Sequence, residues 1–381
     1  MKKILTLALA LTALLLSACS SPEPANTNPA VTTKEDKSEY ITITVLGDNL
    51  MHMPVINSGL KSDGSYEYSH IFSELQPYIK NSDIAVIGQE TVFAGKDKGY
   101  SGYPLFNTPS DVGKSLAGEG FDVVLHASNH ALDKGGSGIE RTIDFWKKYP
   151  QIKVLGINET KSEADGIKTI VKNGVTLGLL NYTYGTNGIH PPQGKEYIVD
   201  VINEDLMKHE VHMSEKATDF TIAFMHWGEE NQSAPSVYQK QLAQKMCDWG
   251  VDLIVGSHPH VIQPAQWLEG ETGNKTFVYY SLGNFVSRQI KTKNLLGGIA
   301  DIKLKIDNNK VTVENAGFKP IVTHYNKTCT EFCVYPLAKY NDNLAKNHGL
   351  WNYGQEMSIN ALEEILYNTF EGYDKNLIDY K

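Results

Sequence analysis

Cysteine is scarce in this chain of 381 residues: there are four. The two close neighbours, Cys329 and Cys333, are too few to complete a structural zinc site. Concentrated basic runs are missing and the formal net charge is −9. That argues against nucleic acid as a partner and leaves open an anionic ligand held by a metal. The apolar stretch near the N-terminus, Ile4 to Leu16, is too short for a comfortable membrane span. Internal repeats are absent, and so are linker-like stretches after Tyr40, so residues 40–381 read as one domain. What is present is an ordinary globular balance, 41% hydrophobic and 21% charged.

The first 18 residues read as a secretory signal: Lys2-Lys3, the apolar core, then small residues. The end of this stretch, Leu16-Ser17-Ala18-Cys19, resembles a bacterial lipoprotein processing site. The resemblance implies cleavage before Cys19, a lipid on its sulfur, and an anchor on the extracytoplasmic face of the cell membrane. Residues 19–39 are polar and Pro/Ser/Asn/Thr-rich, a flexible tether. An exported context is oxidising, so Cys329 and Cys333 are expected to form a small-loop disulfide. Cys247, alone in a helical segment, reads as a buried apolar thiol.

From Tyr40 onward, short β-branched runs alternate with amphipathic stretches, the pattern of an α/β fold. Strands are expected at 41–46, 83–88, 121–126, 152–156, 168–171, 175–182, 220–225, 251–256, 276–281 and 282–286. A hairpin at 297–306 and 311–317 follows, then a mostly helical tail. Helices are expected at 70–80, from after Pro109 to about Gly118, from after Gly135-Gly136 through Trp146, at 201–216 and at 237–249.

The chemistry gathers where these strands end. The run Val251 to Gly256 delivers His258 and His260, and Pro259 between them biases His258 toward extended geometry, so both imidazoles point one way. Other strand ends carry Asp48 with His52 four residues on, Glu90, Asn129 with His130, and His226. One acid or histidine in such a place is an ordinary cap or solvated polar residue. Five strand ends in series, closing on His-x-His, are hard to assign to chance. Carboxylate, amide and imidazole donors suit a binuclear Mn, Fe or Zn centre.

The order and types of these residues resemble the calcineurin-like metallophosphoesterases. The nearer likeness is to their capsule-biosynthesis (CapA/PgsA-like) branch, tied to poly-γ-glutamate. The motifs that carry it are Gly47-Asp48, Gln89-Glu90, Ser128-Asn129-His130-Ala-Leu-Asp133, His226-Trp227-Gly228 with Glu230, Gly256-Ser-His-Pro-His-Val261 and Tyr280-Ser-Leu-Gly-Asn284-Phe-Val286. They span a core of roughly 41–290, with residues 291–381 as a C-terminal extension. The resemblance implies a metallophosphatase-like four-layer α/β/β/α sandwich. It also implies Asp48, Glu90, Asn129, His226, His258 and His260 as ligands for two divalent ions. His130 takes the catalytic position, and Glu230 is a branch-specific acid placed with it. His52, Asp133 and Asn284 are further candidates. Four departures are visible: Asp48 is followed by Asn-Leu-Met-His rather than by x-His, Glu90 stands where phosphoesterases have Asp, Gln89 replaces the branch's usual Leu, and Ser128 its usual first Asn.

The function implied is that of a lipid-anchored protein of capsule polymer synthesis, acting in elongation, export or tethering. Its partners would be the membrane subunits of a poly-γ-glutamate synthase and the anionic polymer. Two other readings stay open: a metal-dependent hydrolase cutting a phosphoester or the polymer's amide, and a non-catalytic scaffold. Cys19→Ala is expected to leave unprocessed precursor or to release the protein from membranes. Normal maturation and membrane fractionation of that variant would contradict the anchor.

Overall fold

The computed structural model describes residues 39–308 and 310–379. The expected signal segment 1–18, Cys19 and the tether up to residue 38 lie outside the described residues. The chain first lays down four parallel strands: β1 (Tyr40–Asn49), β2 (Ile84–Gln89), β3 (Val123–Leu125) and β4 (Lys153–Leu155). It then builds a second sheet from β5 (Lys168–Lys172), β6 (Val175–Thr183), β7 (Phe220–His226), β8 (Leu253–Ser257), β9 (Ala265–Glu269) and β10 (Lys275–Tyr279). Finally it returns to the first sheet with β11 (Asn284–Val286), β12 (Leu296–Asp307), β13 (Lys310–Tyr325) and β14 (Phe332–Pro336). The strand orders are β14-β13-β12-β1-β2-β3-β4, with β11 beside β1, and β5-β6-β7-β8-β10-β9.

Side-chain alternation along the strands makes the layers. On β7, Phe220, Ile222 and Phe224 share one core with Ile43, Val45 and Phe277, the layer between the sheets. Ala223 and Met225, on the opposite face, pack with Val211, Leu242 and Met246 of the helices Glu204–Ala217 and Val237–Trp249. On the other side, Val112, Leu116 and Phe145 of the helices Asp111–Glu119 and Gly135–Trp146 cover the first sheet. The result is the expected α/β/β/α sandwich. The helix Val237–Trp249 begins with a Ser236/Gln239 capping box and stops at left-handed Gly250, which aims the chain into β8.

Several boundaries differ from those expected. The helix at 70–80 is two short helices, Ser69–Phe72 and Gln76–Lys80. Pro77 has no N–H to give and its ring clashes with the preceding turn, so it starts a helix rather than continuing one. The edge strand β9 carries no clean alternation and was not expected. β13 runs on to Tyr325 because β14 pairs with its second half. The expected Cys329–Cys333 bridge is not formed: both cysteines are free thiols. The turn from β13 to β14 puts Cys329 at φ +54° with its thiol against the Arg288 guanidinium. Cys333 is in β14, its sulfur 3.5 Å from Ser73 Oγ. Cys247 is buried, as expected.

Two glycines position the site. A Cβ on Gly47 would lie 1.9 Å from the Gly283 carbonyl oxygen, and one on Gly256 would lie 2.0 Å from that of Tyr280. At Gly47, the closeness lets Asp48 N donate to Gly283 O, so β11 can take over beside β1 where β12 leaves it. Backbone carbonyls cannot yield as flexible side chains do, so Gly47→Ala and Gly256→Ala are each expected to destabilise the fold by about 3 kcal/mol. Denaturant unfolding checks this, and a loss below about 0.5 kcal/mol would show that the approach is not tight.

Candidate metal centre

Parallel strands of both sheets end at one edge of the sandwich, and the site lies there. β1 and β2 pair in register from Ile43 to Leu46 and then slip, so a bulge sits just before Asp48. Such an irregularity re-aims the next side chain. Asp48 is fully enclosed, and its Oδ2 accepts the backbone N–H of His258, 210 residues away, at 3.0 Å. One carboxylate thus ties the first sheet's end to the loop after β8.

Glu90 follows β2 directly and is 2% exposed. Neither of its carboxylate oxygens has a hydrogen-bond partner. Around Glu90 Oε1 stand His226 Nε2 at 3.8 Å, His260 Nε2 at 3.8 Å and His130 Nε2 at 4.0 Å. His226 ends β7; its Nε2 lies 2.9 Å from Asn129 Oδ1, and its Nδ1 lies 3.0 Å from Ser257 Oγ and 3.6 Å from Asp48 Oδ1. His258 and His226 have ring centroids 4.8 Å apart. His258 Nδ1 is buried without a partner.

Ligand-capable atoms of Asp48, Glu90 and His260 fall within 4.8 Å of one another, as do those of Glu230, His258 and His260. The two triads share His260. The structure therefore brings together all six expected ligands, with Glu230 on the exposed side.

The expectation for the His258-Pro-His260 backbone was wrong. Neither histidine is extended: φ is +94° at His258 and +56° at His260. Positive φ in non-glycine residues costs about 1–3 kcal/mol each and persists only where the surroundings enforce it. Here the enforcing bonds are His258 N to Asp48 and Asn231 N to the Pro259 carbonyl at 2.8 Å. The chain is wrapped around the cluster, and both imidazoles face it from a turn rather than a strand.

His130 hangs on the short turn after β3. Its Nδ1 donates to Asp133 Oδ2 at 2.8 Å, and Asp133 Oδ2 also accepts the Phe106 N–H. The proton is thereby fixed on Nδ1, and Nε2 is left toward Glu90. Asn284 does the equivalent for His260: its Oδ1 accepts from Nδ1 at 3.0 Å, and its amide nitrogen reaches the Gln289 side chain, Ser287 Oγ and the Asn294 carbonyl. His52 stays outside the cluster. Its Nδ1 lies 3.3 Å from both Leu50 O and Arg288 N, and its ring meets Phe106 edge-on.

The electrostatics are those of a site short of positive charge. Burial pushes Glu90 upward, opposed by His260 and reinforced by Asp48. Burial pulls His260 downward, yet the Glu90 and Asp48 carboxylates lift it above its ordinary value. His226 and His258 are held well below theirs by burial, with neighbouring imidazoles adding to the effect. Enclosed carboxylates beside imidazoles, with donor atoms left orphaned, fit a divalent cation.

Sequence reasoning missed Asn187, whose Oδ1 accepts from the Asn129 amide at 3.3 Å. It also missed Tyr184, whose ring stands 4.5 Å from His258, and Ser257 on His226 Nδ1. Asn187 and Tyr184 lie in the loop after β6, which carries no strand-end acid or imidazole to mark it. Ser257 stood beside His258 in the His-x-His motif.

A family described as bacterial capsule synthesis protein PGA_cap matches residues 42–289. The capsule biosynthesis protein CapA of Bacillus anthracis is 27% identical over 311 residues, covering 77% of this chain and 72% of that one. The PGA biosynthesis protein CapA of Bacillus subtilis (strain 168) is 27% identical over 290 residues, covering 73% and 70%. Among solved structures, the NAD nucleotidase NadN of Haemophilus influenzae aligns with a TM-score of 0.48 at 11% identity, over 87% of this chain and 67% of that one. The calcineurin-like phosphoesterase YfkN of Bacillus subtilis aligns at 0.42 and 16%, over 87% and 98%.

His126, which follows β3 directly, also lies outside the site. It accepts from the Trp146 indole N–H at 2.8 Å, and burial pushes it down to about 3. A histidine held neutral in the fold but free to charge near 6.5 in the unfolded chain stabilises the native state above about pH 6.5. That stabilisation is lost as pH falls toward 3. His126→Gln keeps an acceptor for Trp146 and does not titrate, so it is expected to flatten the decline of unfolding free energy between pH 6.5 and 4. An unchanged slope in denaturant titrations would contradict this role.

Proposed function

This chain belongs to the bacterial capsule synthesis family, and from that premise we propose that it is a lipid-anchored, metal-dependent protein acting on an anionic capsule polymer of the poly-γ-glutamate type. The observation that carries the metal is Glu90: a buried carboxylate with both oxygens unpaired, ringed by three imidazole nitrogens about 4 Å away. Asp48, Glu90, Asn129, His226, His258 and His260 would hold two divalent ions. When bound, such a pair polarises a phosphoryl or carbonyl oxygen and lowers the pKa of a coordinated water.

The chain's own residues supply the rest. Asp133 fixes the His130 proton on Nδ1 and sets the ring, so Nε2 is the atom that exchanges a proton with a leaving group. Asn284 holds the tautomer of His260 so that its Nε2 serves as the ligand atom. Glu230 stands at the exposed side and meets substrate before the buried residues do. Attachment at Cys19 would keep the domain at the membrane where polymer emerges, with the synthase's membrane subunits as partners. Hydrolysis of a phosphoester or of the polymer amide is the chemistry this arrangement favours.

The test measures metal content by elemental analysis and capsule polymer in the same strains. The double variant His258→Ala/His260→Ala is expected to lose its metal. Asn284→Ala is expected to weaken metal affinity by about 10–100-fold. His130→Ala is expected to keep metal and lose turnover. A double variant that keeps its metal removes the metal-site reading. One that loses metal yet supports normal polymer leaves the scaffold reading in its place.

A further inference from the structure

The chain has only two arginines, Arg141 and Arg288. Arg141 is a structural cation: it pairs with Asp97 and donates to the Ala94 carbonyl. Arg288 is different. Among the described residues no carboxylate lies in ion-pair contact with it, although the chain carries 44 acids. Its guanidinium sits 4.5 Å from the Tyr353 ring centroid and 5.6 Å from that of Tyr325, and donates to Tyr353 Oη. The Cys329 thiol is its other side-chain neighbour. Its Nε is buried and unpartnered.

The position of this cation matters more than its isolation. Arg288 lies four residues after Asn284, the residue that holds His260. The stretch between them is tied back to Asn284 through Ser287 and Gln289. The Arg288 backbone N–H reaches His52 Nδ1, and the His52 ring leads through Phe106 to His130. The cation is therefore mounted on the wall of the metal centre but is not a part of it. Its aromatic clamp comes from residues beyond 290: Tyr325 on β13 and half-exposed Tyr353 in the turn Gly349–Tyr353.

We infer that Arg288, clamped by Tyr325 and Tyr353, is a carboxylate-binding subsite for a neighbouring repeat of the polymer whose reacting unit lies at the metal centre. This rests on the proposed function. A guanidinium that no carboxylate of the chain neutralises can still pair with a ligand carboxylate, and stacking on tyrosines pre-organises it without neutralising its charge. A polymer with one carboxylate per repeat offers a second anion at a fixed spacing from the first. A cation displaced from the reacting centre uses that spacing to set the register.

Poly-γ-glutamate binding to the full chain is the test, read with metal content and with salt dependence. Arg288→Gln is expected to retain metal and bind the polymer about tenfold more weakly, the loss of one charged hydrogen-bonding pair. Arg288→Lys, which keeps charge but not the fork, is expected to fall between. Arg141→Gln, removing the same charge elsewhere, is expected to bind as the unaltered chain does. If Arg288→Gln binds as tightly as the unaltered chain, or no more weakly than Arg141→Gln, the subsite is overturned while the proposed function stands. If the unaltered, metal-loaded chain does not bind poly-γ-glutamate at all, the proposed polymer falls and the subsite with it.

Discussion

The structure depends on one electrostatic constraint: the carboxylates of Asp48 and Glu90 and the imidazoles of His130, His226, His258 and His260 are enclosed at one edge of a sandwich with no lysine or arginine among them. Removing ionisable groups from water is expensive unless opposite charge or hydrogen bonds replace the lost hydration. Asp48 has found a backbone donor on the far sheet. Glu90 has found none. The bulge before Asp48, the glycine at 47 pressed on a carbonyl, and the two histidines at positive φ all serve to hold this cluster closed. Such strain is maintained only by a surrounding fold that leaves the chain no alternative path.

That fold supplies the site from both sheets. Asp48 and Glu90 come from the first sheet, with Asn129 and His130 from the turn after its third strand. His226, His258 and His260 come from the second. The inter-sheet core of Ile43, Val45, Phe224 and their neighbours fixes the distance between the two half-sites. Residues beyond 290 are no appendage: β12 is the direct neighbour of β1, and its hairpin partner β13 carries one of the two tyrosines that hold Arg288. The part of the chain with no recognisable motif thus frames one wall of the site.

The division between what could be read early and what could not follows the range of the forces involved. Strands and most helices were legible because they follow from periodicity and capping, which are local. The ligand types were legible because acids, amides and histidines fell at strand ends in series. The conformation of His258 and His260 was not, since local preference at His258-Pro259 favours extension and the bonds to Asp48 and Asn231 overrule it. The disulfide expectation failed for a similar reason. Sequence spacing and an oxidising context allowed the pairing, while the hairpin register turned Cys333 toward Ser73 and left Cys329 beside Arg288.

By itself, then, the sequence determined the alternation of elements, the polarity of the chain and the chemical identity of the donor set, because each is written in neighbouring residues. Only the tertiary structure decided which donors meet, which of them lack partners and which arginine is free. Those properties depend on residues far apart in the chain, as Asp48 and His258 are at 210 positions, and on the packing of two sheets that no single segment encodes.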